Sequence, residues 1–228
     1  MHISDGILSA PVLTAGFIGT FAVAAYTLRQ LDLDDIPKVS VITSVFFVAS
    51  LIHVPIGPSS VHLILGGLVG VVLGIRAFPA IMLGIILQTI LFGHGGVTVI
   101  GVNTIMLGGG GLMAYAVWQL RHRFNINKKE MIFGGLAGAT GIFSSGIVLA
   151  FSLVTTGEEF IATAWYTLIA HIPVMIIEAL VVGSCAAFLA KVKPDALAGQ
   201  LPRAVPATAA ATEANTDTTR PSNEDSAK

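Results

Sequence analysis

The sequence predicts an all-α fold: a polytopic membrane bundle of about seven transmembrane helices, with its N-terminus outside and its C-terminus in the cytoplasm. Hydrophobic residues make up 54% of the 228 residues, and charged residues make up 11%. A soluble globular domain carries about 25% charged residues, so this chain lacks the charge to cover a surface in water. The other two observations are the spacing of its apolar stretches and the placement of its basic residues.

The apolar stretches set the number of helices. Seven can be drawn: 8–28, 39–56, 61–76, 78–92, 99–120, 131–154 and 161–190. A straight crossing of about 30 Å of hydrocarbon needs about 20 helical residues. The third and fourth stretches, which meet at residues 76–79, are short. Short or interrupted spans next to a Gly-rich loop often line a site rather than face lipid.

The basic residues set the orientation. When the N-terminus is placed outside and seven spans are threaded, all 12 Lys and Arg residues fall on the inner side. Cytoplasmic loops of membrane proteins carry an excess of Lys and Arg, and the reverse orientation would contradict this bias completely. We therefore expect a multi-pass protein of the bacterial cytoplasmic (inner) membrane.

Composition also divides the chain. Residues 1–193 form the transmembrane domain, and residues 194–228, rich in Ala, Thr, Pro and acids, are predicted to be a disordered cytoplasmic tail. The single cysteine, Cys185, excludes an intrachain disulfide and a CxxC metal site. There is no basic patch for nucleic acid. No secretory signal opens the chain, so we expect Met1 to be retained.

The first two residues can form a chelate. The α-amine of Met1, the His2 amide nitrogen and the His2 Nδ1 can close a five-membered and a six-membered ring on one metal. A fourth nitrogen would complete a planar site, which favours Cu(II) or Ni(II) and also accommodates Co(II). Zinc, magnesium and calcium fit badly. The dipeptide alone is weak support, because any protein can carry histidine at position 2.

Five of the six histidines lie at or near the predicted outer face, where Lys and Arg are absent: His2, His53, His62, His94 and His171. Such a surface suits an incoming cation. In the segment 52–62, Pro and Gly stop one helix, and serines 59–60 can cap the next. His62 is then expected in the first turn of a short helix. For His62, two interpretations stay open: a metal ligand or an ordinary interfacial side chain. For His53, the ordinary interfacial side chain is favoured.

The segment 92–103 is rich in glycine and contains His94 and Asn103. Glycines permit the tight backbone of a re-entrant loop. Such a loop can press on the N-terminal segment, with Asn103 hydrogen-bonded behind the metal ligands. The alternative is a flexible outer loop.

Glu178 is the acid predicted at mid-membrane, and His171 lies seven residues earlier on the same helical face. An intramembrane carboxylate is a candidate functional group. It can equally be protonated and bonded to a neighbouring helix. These two residues support an alternative function, that of a stand-alone cation channel or proton-coupled transporter.

Three motifs together resemble one family: MHIxDGxLS at the N-terminus, HVPxGPSSVH, and FGHGGxTxxGVNT. They resemble the CbiM/NikM family, the substrate-binding membrane subunits of energy-coupling-factor cobalt and nickel importers, over about residues 1–190. The resemblance implies seven helices with the N-terminus buried in the bundle. It also implies four nitrogen ligands, from the Met1 amine, the His2 amide, the His2 imidazole and the His62 imidazole. Many relatives have Pro in place of Ser4, which leaves the ligands untouched.

The resemblance further implies a substrate-capture subunit for ATP-driven import of Co(II) or Ni(II), which is not an enzyme and has no resident cofactor. The expected partners are separate chains: a transmembrane coupling protein, an ATP-binding subunit and a small accessory membrane subunit. The sequence has no GxxxxGK[ST] motif for ATP hydrolysis and no HExxH motif for a metalloenzyme. Both metals accept these ligands, so the choice between cobalt and nickel stays open.

Overall fold

The computed structural model describes the backbone of residues 2–51, 53–56 and 59–199, and the side chains of residues 2–51 and 63–199. The described chain is almost entirely helical, which confirms the predicted fold class. Its α-helices are α1 (Ala10–Leu28), α2 (Ile36–Leu51), α3 (Gly66–Leu73), α4 (Ala77–Phe92), α5 (Ile100–Gln119), α6 (Lys129–Val154) and α7 (Ile161–Val192). Two short strands, β1 (His53–Ile56) and β2 (Ser59–His62), pair antiparallel between α2 and α3.

Each predicted apolar stretch overlaps one of these helices. Five segments are long and apolar enough to cross a membrane: Ala10–Leu28, Gly66–Phe92, Ile100–Arg123, Lys129–Val154 and Glu158–Val192. The second of these joins α3 and α4 through a 3₁₀ turn, Gly74–Arg76, at the predicted break. α2 ends at Leu51 rather than at residue 56. The number of complete crossings and the sides of the two termini therefore stay predictions.

α3 lies at the centre of the bundle, where it packs against α2, α4, α5, α6 and α7. Its eight residues span only about 12 Å, so it cannot cross about 30 Å of hydrocarbon alone. Its glycines let neighbouring backbones touch: a Cβ added at Gly67 would lie 2.6 Å from the Cα of Gly138 in α6. A Cβ at Gly70 would overlap the carbonyl of Gly111 in α5. Such small-residue contacts are typical of helices packed in lipid.

The hairpin before α3 corrects one prediction. His62 was expected in the first turn of a helix, but it lies in β2, and α3 begins only at Gly66. The physical reason lies in the segment itself. Pro55 and Pro58 lack the N–H groups that a helix needs, and the β-branched Val54 and Ile56 favour extended backbone.

The outer surface of the bundle is apolar. Large side chains are widely exposed on α1 and α7, among them Phe21 at 70% and Phe188 at 62%. A soluble monomer rarely exposes a continuous apolar patch larger than a few hundred Å². Trp165 and Tyr166 are exposed near the start of α7, and such aromatic side chains are enriched at membrane–water interfaces. This surface is suited to lipid, and the chain is a membrane protein.

The C-terminal segment, residues 194–199, packs against the bundle. The Ala198 N–H donates to the Val71 carbonyl in α3 at 2.9 Å. The Ala198 carbonyl accepts from Trp118 Nε1 at 3.0 Å and from Arg121 at 2.9 Å. Leu197 is buried. The sequence predicts disorder from residue 194, whereas the structure packs residues 194–199; residues 200–228 lie outside the described residues.

Candidate metal centre

The N-terminal segment, residues 2–9, runs into the bundle without regular structure. The Ile3 side chain is 3% exposed. Its backbone N–H donates to Asn103 Oδ1 at 3.0 Å, and Asn103 Nδ2 donates to the Ile3 carbonyl at 3.1 Å. A side-chain amide carries both a donor and an acceptor, so one asparagine satisfies both backbone groups of Ile3. Asn103, buried in the first turns of α5, thereby fixes the chain directly after His2.

The loop between α4 and α5 holds the same segment from the other side. The Asp5 N–H donates to the Gly95 carbonyl at 3.0 Å. Asp5 Oδ1 accepts from the Thr98 N–H at 3.1 Å and also from the Thr98 hydroxyl. Gly95 and Gly96 have φ of +80° and +135°, and a Cβ on Gly96 would overlap the Asp5 carboxyl group. The predicted contact between the glycine-rich loop and the N-terminal segment is confirmed.

His2 and His94 lie side by side at this contact. Their ring centroids are 6.0 Å apart, and the ring planes differ by 20°. The end of α4 places His94: the His94 N–H donates to the Gln88 carbonyl, and the Thr89 hydroxyl donates to the His94 carbonyl at 3.0 Å. The two rings are stacked, so His94 limits the orientations available to the His2 imidazole.

The structure brings together three of the predicted site residues, His2, His94 and Asn103. Met1 and the His62 side chain lie outside the described residues; the His62 backbone is in register with that of His53 across the hairpin. Among the described residues, no group of three or more His, Cys, Asp or Glu side chains could hold a metal ion. A metal at His2 would therefore need backbone or N-terminal nitrogens, or side chains beyond the described set.

The two residues of the alternative function are placed separately. Glu178 is completely buried in α7, and its Oε1 accepts from the backbone N–H groups of Ile64 and Leu65, each at 2.6 Å. His171 is half-buried, with Nδ1 facing the Thr167 carbonyl of its own helix. Glu178 is thus hydrogen-bonded to the backbone before α3, and His171 faces the backbone of α7 itself.

Sequence reasoning missed the role of Asp5 and Thr98. Asp5 stands inside the N-terminal motif, and the loop of residues 93–98 carries glycines that expose backbone N–H groups. An acidic acceptor near the chain end and a loop of free donors could have been paired on these grounds. The pairing spans 93 residues, however, and local patterns do not reveal contacts of that range.

Apolar helices that enclose a tethered N-terminal segment define a class, the polytopic helical membrane proteins. A family model described as the cobalt uptake substrate-specific transmembrane region matches residues 2–196. The chain belongs to this family, CbiM, and is a membrane component of cobalt or nickel transport.

Two relatives agree with this assignment, and a solved structure shares the fold. A putative metal transport protein of Haemophilus influenzae is 34% identical over 199 residues, which cover 86% of this chain and 97% of that protein. The fused nickel transport protein NikMN of Rhodobacter capsulatus is 32% identical over 159 residues, 66% of this chain and 46% of that one. The crystal structure of a truncated transition metal transporter has the same fold, with a TM-score of 0.74 at 22% identity over 84% of this chain and 99% of that chain.

The Asn103 contact leads to a first prediction. Asn103→Leu should weaken binding of Co(II) or Ni(II) by about 10- to 100-fold, the usual effect of losing a group that orients a metal ligand. Leucine has a similar size but leaves both backbone groups of Ile3 without a partner. Isothermal titration of the purified full-length chain measures the effect. Asn125→Leu, at an exposed position, is the control and should bind normally. Unchanged affinity in a folded Asn103→Leu protein would contradict this role.

Proposed function

We propose that this chain is the substrate-capture component of an ATP-driven energy-coupling-factor importer for Co(II) or Ni(II). The observation that carries the proposal is the pair of hydrogen bonds between Ile3 and Asn103, which tethers the chain end inside the protein. A tether at residue 3 restricts the backbone directly after His2, as an N-terminal chelate requires. The family supports the substrate class, because its model describes a cobalt uptake region.

The proposed ligands are four nitrogens: the Met1 amine, the His2 amide, the His2 Nδ1 and the His62 imidazole. The first three belong to consecutive residues and close two chelate rings, so binding them costs little additional ordering once Ile3 is fixed. The fourth comes from the hairpin. A planar set of nitrogen donors suits Ni(II), Cu(II) and Co(II) better than zinc. His94 and Asn103 would act behind this set, by restricting the His2 ring and the backbone of Ile3.

We further propose that the N-terminus and the metal site face outward and that residues 194–228 face the cytoplasm. The placement of the 12 basic residues supports this orientation. The proposed location is the bacterial inner membrane. The partners would be a transmembrane coupling protein, an ATP-binding subunit and a small accessory membrane subunit, each a separate chain.

The alternative function, a stand-alone channel or proton-coupled transporter, would use Glu178 and His171. The burial of Glu178 favours it. Against it, Glu178 Oε1 already accepts two backbone hydrogen bonds, and His171 Nδ1 faces its own helix. A group that exchanges a transported ion needs donors and acceptors that are released easily, which two hydrogen bonds of 2.6 Å to a buried backbone do not provide.

Uptake in cells tests the proposed function. Cells that carry this chain with the three partners should accumulate radiolabelled Co(II) or Ni(II). Cells with an ATP-binding subunit whose phosphate-binding lysine is replaced should accumulate none, because the proposed import uses ATP. The inactive subunit must be present in the membrane at normal amounts, which immunoblotting checks. Equal uptake in both strains would support the channel instead.

A further inference from the structure

Glu178 holds the chain that connects the hairpin to α3. Its side chain is 0% exposed, and Oε1 lies 2.6 Å from the backbone nitrogens of both Ile64 and Leu65. These are among the shortest hydrogen bonds from backbone donors in the described chain. They join α7 to a segment more than 110 residues earlier.

The connecting segment needs such an acceptor. Residues 63–65 belong to neither β2 nor α3, and Leu65 has a left-handed backbone with φ of 54°. The N–H groups of Ile64 and Leu65 precede α3, so no carbonyl of that helix can accept from them. Backbone N–H groups buried without a partner are costly, above all in lipid. Glu178 supplies the missing acceptor from another helix, and the N-terminal end of α3 favours a negative group.

This contact acts on the proposed metal site. His62 ends β2 and stands two residues before Ile64, so the backbone anchored by Glu178 is the backbone that continues directly from His62. We propose that Glu178 is a positioning residue for metal capture: it holds the end of the hairpin and thereby places His62. The inference rests on the proposed function, because it takes His62 as a ligand.

The role assigned to Glu178 depends on whether its side-chain oxygen reaches the two backbone N–H groups, and not on its negative charge. One atom, Oε1, accepts both hydrogen bonds, while Oε2 is buried and has no hydrogen-bond partner among the described residues. Glutamine keeps an oxygen at the same distance along the side chain. Aspartate keeps the charge but is one methylene shorter, so its oxygen falls short of two donors that now lie at 2.6 Å.

The variants Glu178→Gln and Glu178→Asp therefore show whether the position of the acceptor oxygen or the negative charge of Glu178 is required. Each full-length protein, purified in detergent, is titrated with Ni(II), and the visible absorption of the bound metal is recorded. We expect Glu178→Gln to bind within about threefold of the wild type, because the acceptor is kept. We expect Glu178→Asp to bind about 10- to 100-fold more weakly, as for other groups that orient a ligand. Melting temperatures confirm that both variants are folded.

The absorption spectrum shows whether the loss passes through His62. Nickel in a plane of four nitrogens absorbs differently from nickel that has lost one of them. The spectrum of Glu178→Asp should shift toward that of His62→Ala, and the double variant should be no weaker than His62→Ala alone, since both changes act on the same ligand. If Glu178→Asp proves too unstable to purify, Glu178→Met, which keeps the length of the side chain but has no oxygen acceptor, replaces it and should show the same loss.

The outcomes separate this inference from the proposed function. Loss of binding in His62→Ala with normal binding and spectrum in Glu178→Asp would overturn the positioning role and leave the metal site intact. Loss of binding in Glu178→Gln would also overturn it, and would point to the charge of Glu178. If wild type and His62→Ala bind equally, the proposed ligand set itself is wrong, and with it the role of Glu178.

Discussion

Insertion of one alanine between Met1 and His2 should abolish uptake of Co(II) or Ni(II), although every side chain of the native protein remains. The amine would move by up to about 3.5 Å along the chain, while Ile3 stays fixed by Asn103. The ring from the histidine amide to its imidazole would remain, but the amine could no longer close a five-membered ring onto that amide, because an alanine stands between them. The amine and the His62 imidazole would not meet at one ion.

Residual binding by the inserted protein is compatible with this expectation. A chain that begins Met-Ala-His offers four nitrogens of its own: one amine, two amides and one imidazole. Such a chelate accepts Ni(II) and Cu(II) in a plane and excludes His62. We therefore expect some binding by titration but no transport, because the metal no longer contacts the hairpin.

The control is an alanine inserted between Glu158 and Glu159, in the exposed connection between α6 and α7. This insertion lengthens the exposed 3₁₀ turn that precedes α7 and should leave uptake normal. Intact mass must show the added residue and an unblocked amine at the N-terminus. Normal uptake by the Met1–His2 insertion under these conditions would refute the N-terminal site.

His62→Ala should reduce metal affinity by more than about 100-fold, because removal of a direct ligand costs at least as much as the 10- to 100-fold loss of a supporting group. His53→Ala should largely preserve the affinity. The two variants are well matched, because His53 and His62 are directly opposite each other in the hairpin. Backbone position alone does not separate the two residues, so the choice of His62 depends on the family resemblance.

Isothermal titration of both variants with Ni(II) and Co(II) measures the difference, and circular dichroism confirms equal helix content. Equal losses would mean that either both imidazoles or neither contact the metal, and that the ligand was assigned incorrectly. A loss of affinity confined to His53→Ala would mean that His53, in β1, is the ligand instead of His62.

The helices could be predicted from the sequence because each depends on a local property, a run of apolar residues that must satisfy its own backbone in lipid. The break at residues 76–79 was visible for the same reason, since a charged residue and a proline stand there. The hairpin could not be predicted. Serines 59–60 are suitable either to cap a helix or to pair in a strand, and the choice depends on contacts with distant helices.

In the candidate site, too, the features that depend on local sequence could be predicted, and those that depend on distant contacts could not. The chelate at His2 is a property of two adjacent residues, and the contact of the 92–103 loop with the N-terminal segment was predicted from the glycines of that loop. The partners of Asp5 and Glu178 did not follow from any pattern. Each is a side chain bonded to backbone N–H groups about 90 to 115 residues away, and backbone donors leave no mark in the sequence.

α3 is attached at both ends to one late stretch of chain. Glu178 in α7 bonds to the residues before its first turn, and Ala198 bonds to Val71 in its last turn. α7 continues from Glu178 to Val192, and the 3₁₀ turn Pro194–Ala196 leads on to Ala198. α3 is thus braced at both of its ends by residues of one stretch, 178–198, and residues 63–65 join its first turn to the hairpin. We expect a displacement of this stretch to move α3 and, through residues 63–65, the hairpin.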